Sequence, residues 1–272
     1  MRVDSEILTR IENALHVACE VLARFTPGQV VAQYKSSRDP VTEADRAVDR
    51  ALRECLQRAD EDWLSEECLD DRRRLKCKHV WIIDPLDGTA EFVAGIPEWA
   101  VSVAFVENGR AIAGGVYNCS TGEIFLGGIG VGVTYNGASV KAASRATLDG
   151  ALVLASRSEF GRGEWRRFEG RGFTVRPVGS VAYKLALVAA GSAHATWTLS
   201  PKHEWDIAGG SALVQAAGGF VHTLDGTPPK FNSPTPRLSG LIAGAPGLEK
   251  SLMDLCSPSL AAGASARRNP EA

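Results

Sequence analysis

Apolar residues recur at helical spacing over residues 5–25, where Ile7, Leu8, Ile11, Leu15, Ala18, Cys19 and Leu22 share a face. Thr26-Pro27-Gly28 stops that run. A second helical stripe, Ala44, Ala47, Val48, Ala51, Leu52, Cys55 and Leu56, covers residues 43–59. The period then changes. Val80-Trp81-Ile82-Ile83 is a continuous apolar run, the mark of a strand buried on both faces. Residues 99–106 and 111–117 read as strands around Glu107-Asn108-Gly109-Arg110, and 123–126 and 131–135 extend the meander.

In the second half strand and helix alternate. Strands are predicted at 151–155, 174–177, 193–199 and 220–223, and helices at 164–169, 182–190 and 206–217. The small residues of 136–150 mark a boundary between an N-terminal half, 1–145, and a C-terminal half, 146–260. Residues 261–272, with Arg267-Arg268-Asn269-Pro270, are expected to be disordered.

The chain has 272 residues, 44% of them hydrophobic and 23% charged, with a net charge of −2. That balance argues against a nucleic-acid polymer as partner and against wholesale disorder. No apolar run reaches the roughly 18 residues of a membrane span, and the N-terminus lacks a signal-peptide pattern. The six cysteines form no C-x-x-C pair and several lie in apolar stretches. They are expected to be reduced thiols of a cytoplasmic protein.

Four acidic stretches carry candidate chemistry. In Asp84-Pro85-Leu86-Asp87-Gly88-Thr89 a core strand delivers two carboxylates into a tight turn, beside a helix start whose free amides suit an anion. Carboxylates for a cation beside amides for an anion fit a metal-bound phosphate. A capped turn explains the same residues without function, although acids ending a buried strand need partners. Glu66 and Glu67 follow Trp63-Leu64-Ser65, and Asp206 follows His203-Glu204-Trp205 at a helix start. Asp39-Pro40-Val41-Thr42-Glu43-Ala44-Asp45 carries a capping-box spacing. A solvated loop or a helix cap also accounts for each of these taken alone.

In this order and at these spacings, the stretches resemble the signatures of the inositol monophosphatase superfamily, magnesium-dependent and lithium-sensitive phosphatases. The matching segments are Asp39 to Asp45, Trp81-Ile82-Ile83-Asp84-Pro85-Leu86-Asp87-Gly88-Thr89 and Trp205-Asp206-Ile207-Ala208-Gly209, and the resemblance spans residues 5–250. It implies a layered αβαβα fold of the sugar-phosphatase type, with an N-terminal α+β half and a C-terminal α/β half. It implies a homodimer acting on a small phosphorylated substrate. It also implies that Glu66, Asp84 and the Leu86 carbonyl hold one Mg2+, that Asp84, Asp87 and Asp206 hold a second, and that Glu66 helps a loosely held third. Thr89, positioned by Asp45, would orient the attacking water with Glu66. The amides of Gly88 and Thr89 would hold phosphate oxygens.

The substrate is less determined. Ala90-Glu91-Phe92, Leu64-Ser65-Glu66-Glu67 and Ala155-Ser156-Arg157-Ser158 look like the bisphosphate nucleotidase branch, which acts on 3'-phosphoadenosine 5'-phosphate. Gly179-Ser180 followed by Lys184 is similar to that branch's substrate loop, where a lysine meets a second phosphate. Thr198-Leu199-Ser200-Pro201-Lys202 lacks the carboxylate with which relatives bind inositol hydroxyls. The expectation therefore leans to a nucleotidase, with an inositol, sugar or polyol monophosphatase as the alternative. A fructose-1,6-bisphosphatase-like enzyme and a catalytically silent regulatory relative are the rivals. His194, where relatives carry Asp, is read as structural, Gly127 to Gly132 as strand-turn punctuation, and Arg72-Arg73-Arg74 as a solvated loop.

Overall fold

The computed structural model describes residues 3–36 and 39–256, without the side chains of 34–40. The expected disordered segment 261–272 lies outside the described residues.

The chain begins with α1 (Ser5–Leu22), the strand pair β1 (Gln33–Ser36) and β2 (Asp39–Val41), and α2 (Glu43–Leu56). A run then follows of β3 (Asp62–Ser65), β4 (His79–Asp87), the short α3 (Thr89–Val93), β5 (Ala100–Glu107), β6 (Arg110–Asn118), β7 (Glu123–Gly128), β8 (Gly132–Tyr135) and β9 (Ala138–Val140). The second half contributes β10 (Leu152–Ser156), α4 (Arg157–Gly161), β11 (Thr174–Val178), α5 (Val181–Ala189), β12 (Ala195–Thr198), β13 (Lys202–His203) and α6 (Glu204–Ala216). It closes with β14 (Phe220–His222), β15 (Arg237–Leu238), β16 (Leu241–Gly244) and α7 (Glu249–Cys256).

β3 to β9 form one seven-stranded sheet in chain order, antiparallel except for the parallel pair β3–β4. The second sheet has the order β11-β10-β12-β16-β14; β16 runs antiparallel to both its neighbours. Along β4 the side chains alternate between two cores. Trp81 and Ile83 meet Ile11, Leu15, Val48 and Leu52 of α1 and α2. Val80 and Ile82 meet Leu185, Ile207 and Ala212 of α5 and α6, and this core continues to Leu154 and Ala243 of the second sheet. A third core packs Val153, Trp197 and Ile242 against Trp165, Phe168 and Leu252. The layers therefore run αβαβα, as the resemblance implies.

Several boundaries move. The expected helix at 164–169 is a three-residue 3-10 turn, Arg166–Phe168, while α4 precedes it. The apolar run 80–83 is part of a longer strand, β4, which continues to Asp87. Arg74 is not solvated: its side chain is 1% exposed and bonds Asp70, Asn232 and the Ser233 carbonyl. The largest departure is covalent. Cys19 and Cys119 form a disulfide with Cα atoms 5.6 Å apart, and the cysteines left free are Cys55, Cys68, Cys77 and Cys256. The all-thiol expectation fails because nothing in local sequence shows that a helix residue and a turn residue 100 positions later become neighbours.

Candidate active site

The bulge in β4 builds the centre of the site. Asp84 pairs with Ser102 and Asp87 with Ala100, so three steps on β4 oppose two on β5. Residues three apart on a regular strand face opposite sides; one extra residue returns Asp84 and Asp87 to the same side. Pro85 fits there, since a bulge tolerates a missing amide donor. Gly88 follows at φ 96°, and a Cβ on it would come within 3.0 Å of the Glu98 carbonyl, so only glycine fits without strain.

Asp206 arrives from the other half. It occupies the first turn of α6 and accepts the His203 amide at 2.9 Å. Asp84, Asp87 and Asp206 each offer a carboxylate oxygen, and these oxygens lie within 4.8 Å of one another. Asp84 and Asp87 are buried, with Asp206 partly so. Burial, reinforced by the charges of Glu66, Asp87 and Asp206, pushes the Asp84 carboxyl well above the usual range. Burial, with the charge of Asp87, lifts Asp206 to about 8, against the pull of Lys202. Asp87 also rises through burial, opposed by the Ser180 hydroxyl, the Lys184 charge and the Ala182 amide. Such a cluster is costly without a counter-charge. An all-oxygen, strongly anionic donor set fits a hard divalent cation such as magnesium, whereas no sulfur or nitrogen in the cluster favours a softer metal.

Around this centre, Thr89 Oγ1 lies 3.0 Å from Asp45 Oδ1 and 3.0 Å from the Leu86 carbonyl. Asp45 is itself fixed, its Oδ2 accepting the Thr42 amide and hydroxyl at 2.7 Å each. The helix cap and the Thr89 contact are thus the same carboxylate. Glu66 does not join the three-carboxylate cluster, yet its charge raises both Asp84 and Asp206.

Gly179 and Ser180 stand beside the cluster. The Ser180 hydroxyl and Ala182 amide both donate to Asp87 Oδ2 at 2.6 Å, and the Gly179 amide donates to Glu98 at 2.7 Å. Arg157 donates to the same Glu98 oxygen, so Glu98 ties this turn to β10 and α4. Lys184 lies inward of that turn. It is 3% exposed, and its Nζ donates to the carbonyls of Ser180 (2.6 Å) and Val178 (3.2 Å). Its ammonium bonds the backbone of its own turn, because α5 carries it inward. Burial lowers it to about 8, despite the charge of Asp87. His194 is structural, its Nδ1 accepting the Leu152 amide at 2.8 Å.

Sequence reasoning missed Glu98 and Lys202. Lys202 sits four residues before Asp206, and its charge opposes the upward shifts of both Asp87 and Asp206. Its spacing from Asp206, one short turn away, was the available signal.

A layered αβαβα molecule whose two halves bring three carboxylates together beside a held threonine has the make-up of a metal-assisted phosphoester hydrolase. The family model of the inositol monophosphatase family matches residues 4–260. Inositol-1-monophosphatase of Rhizobium meliloti is 33% identical over 201 residues, covering 71% of this chain and 75% of that protein. Fructose-1,6-bisphosphatase/inositol-1-monophosphatase of Thermotoga maritima is 34% identical over 194 residues, covering 70% and 73%. The crystal structure of extragenic suppressor protein suhB from Bartonella henselae superposes with a TM-score of 0.79 at 28% identity, covering 93% of this chain and 99% of that one. The chain belongs to the inositol monophosphatase family, and is a phosphoric monoester hydrolase.

Proposed function

We propose that the chain hydrolyses a small phosphomonoester with magnesium, using Glu66, Asp84, Asp87, Asp206 and the Leu86 carbonyl as the ligands of two ions. The observation that carries this reading is the convergence of the Asp84, Asp87 and Asp206 oxygens within 4.8 Å in a buried setting. Bound divalent ions supply Lewis-acid stabilisation of the charge on the phosphoryl oxygens. The protein's own part is orientation. Thr89 Oγ1 has one proton, and both neighbours at 3.0 Å, Asp45 Oδ1 and the Leu86 carbonyl, are acceptors. Its oxygen therefore meets a water as acceptor, as does the Glu66 carboxylate, and the two aim the water's lone pair at phosphorus. The amides of Gly88 and Thr89 serve the phosphate oxygens.

For the alcohol part, a polyol or sugar monophosphate such as inositol 1-phosphate is the first reading, supported by the activity in the relatives' names. For the 3'-phosphoadenosine 5'-phosphate reading, the bonds of Lys184 to its own turn weaken its claim to a second phosphate, and Lys202, whose charge reaches Asp87 and Asp206, is a second cation for that role. A cytoplasmic homodimer completes the reading; among the described residues no helix is long and apolar enough to cross a membrane.

The test is phosphate release from both substrates with and without Mg2+, compared by kcat/KM. Asp87→Asn should lower kcat at least about a hundred-fold, the upper end of what even outer-shell partners of a metal cost. An Asp87→Asn enzyme with unchanged turnover, or a wild type indifferent to chelation, would overturn the reading.

A further inference from the structure

Helix α2 carries a second buried carboxylate, Asp49, one turn after Asp45 and about 6 Å along the axis. Residues four apart share a helix face. Asp45 uses that face to hold Thr89. Asp49, 5% exposed, uses it to hold the end of β3. Its Oδ1 accepts the Ser65 hydroxyl in a short bond, and its Oδ2 accepts the Cys68 thiol at 2.9 Å. The Ser65 oxygen in turn accepts the Glu67 amide at 3.3 Å. These bonds pin residues on both sides of Glu66. Ser65 is 3% exposed, so its hydroxyl has no bulk water to turn to.

We propose that Asp49 is a positioning residue for the phosphatase reaction. Through Ser65 and Cys68 it fixes the turn that presents Glu66, as Asp45 fixes Thr89. One helix thus sets the spacing between two groups of the site that lie 23 positions apart in sequence. The Ser65 bond ties α2 to the last residue of β3 and the Cys68 bond reaches the turn beyond it, while the apolar packing of α2 rests on Val48, Leu52 and Leu56. The inference rests on the reading of Glu66 as a ligand and water-orienting group.

The experiment compares Asp49→Ala, Ser65→Ala and Ser65→Thr with Leu52→Ala, a core truncation on the same helix. Each variant is assayed for Tm, for Mg2+ binding by calorimetry without substrate, and for the Mg2+ dependence of kcat. Asp49→Ala should weaken Mg2+ binding and lower kcat by about 10–100-fold. Ser65→Ala should move both the same way by less, and Ser65→Thr, which keeps the hydroxyl, should recover them. Leu52→Ala should lower Tm with wild-type Mg2+ binding. Wild-type Mg2+ affinity and kcat in Ser65→Ala would overturn the inference even where Asp49→Ala fails to fold. So would an Asp49→Ala enzyme that differs from wild type only in Tm, as Leu52→Ala does. Neither result touches the proposed function, which stands or falls with chelation and Asp87→Asn.

Discussion

Two buried carboxylates in this molecule shift in opposite directions, and the difference separates structure from chemistry. Burial alone would raise Glu61, but it accepts bonds from Arg10 and from Trp81 Nε1 at 2.7 Å, and these leave it below its ordinary 4.5. Asp84 is more deeply buried and has the acids Glu66, Asp87 and Asp206 around it, and it moves up, through burial first and those charges second. A satisfied carboxylate is part of the scaffold, and a frustrated group of them calls for a cation. Because the folded-state value of Glu61 is depressed, its stabilisation is fully present above about pH 4.5 and fades as pH falls through the folded value. Glu61→Gln should therefore lower stability by about 2 kcal/mol at pH 7, the scale of a hydrogen bond to a charged group. The gap to wild type should close toward pH 3. Thermal melts of both proteins from pH 3 to 7 check this, and a gap that stays constant over that range would refute the assignment.

At the scale of elements, the position of Asp206 depends on how closely α6 approaches the large sheet. The helix presents Gly209 and Gly210 where most helices carry side chains. A Cβ on Gly209 would come within 2.5 Å of Ser102 Oγ and 3.1 Å of the Val103 carbonyl, and one on Gly114 of β6 would strike the Gly209 carbonyl. In an open helix Gly→Ala gains up to about 1 kcal/mol. Here overpacking of about 1–3 kcal/mol opposes it, and backbone atoms cannot swing aside. Gly209→Ala should lower Tm and, by lifting α6, weaken Mg2+ binding. Gly161→Ala in α4, where an added Cβ meets nothing within 4 Å, should keep or slightly raise Tm and leave Mg2+ binding unchanged. Equal melts for the two variants would show that the close approach is not required. These glycines also mark what the sequence discloses. Helices α1 and α2 were legible because each buries a regular stripe, and β4 to β6, α5 and α6 because each is a nearly continuous run of apolar and small residues between turns. The acids of the site were legible because motif and spacing coincide. The β4 bulge, antiparallel β16 and the buried Arg74 were not. Each is decided by partners such as Ser102, Thr196 and Asn232 that lie far off in the chain.

For the molecule as a whole, the Cys19–Cys119 bridge ties α1, which covers one face of the large sheet, to the turn after β6. Cross-linking positions 100 residues apart restricts the unfolded chain, worth about 4–5 kcal/mol in the chain-entropy account. That exceeds the effect of either point change above and is comparable with a large share of a domain's net stability. The sequence composition pointed to six thiols, and the fold brings two of them together. Titration of the purified, denatured protein without reductant should give four thiols, Cys55, Cys68, Cys77 and Cys256. In the native state Cys68 should react slowly at neutral pH, since burial and the bond to Asp49 push its thiol up to about 11. Cys119→Ser, or reduction of the wild type, should lower Tm by about 10 °C or more, and reductant should have no further effect on the variant. Six titratable thiols, or a melt indifferent to both reduction and Cys119→Ser, would return the pair to the reduced state that the sequence led us to expect.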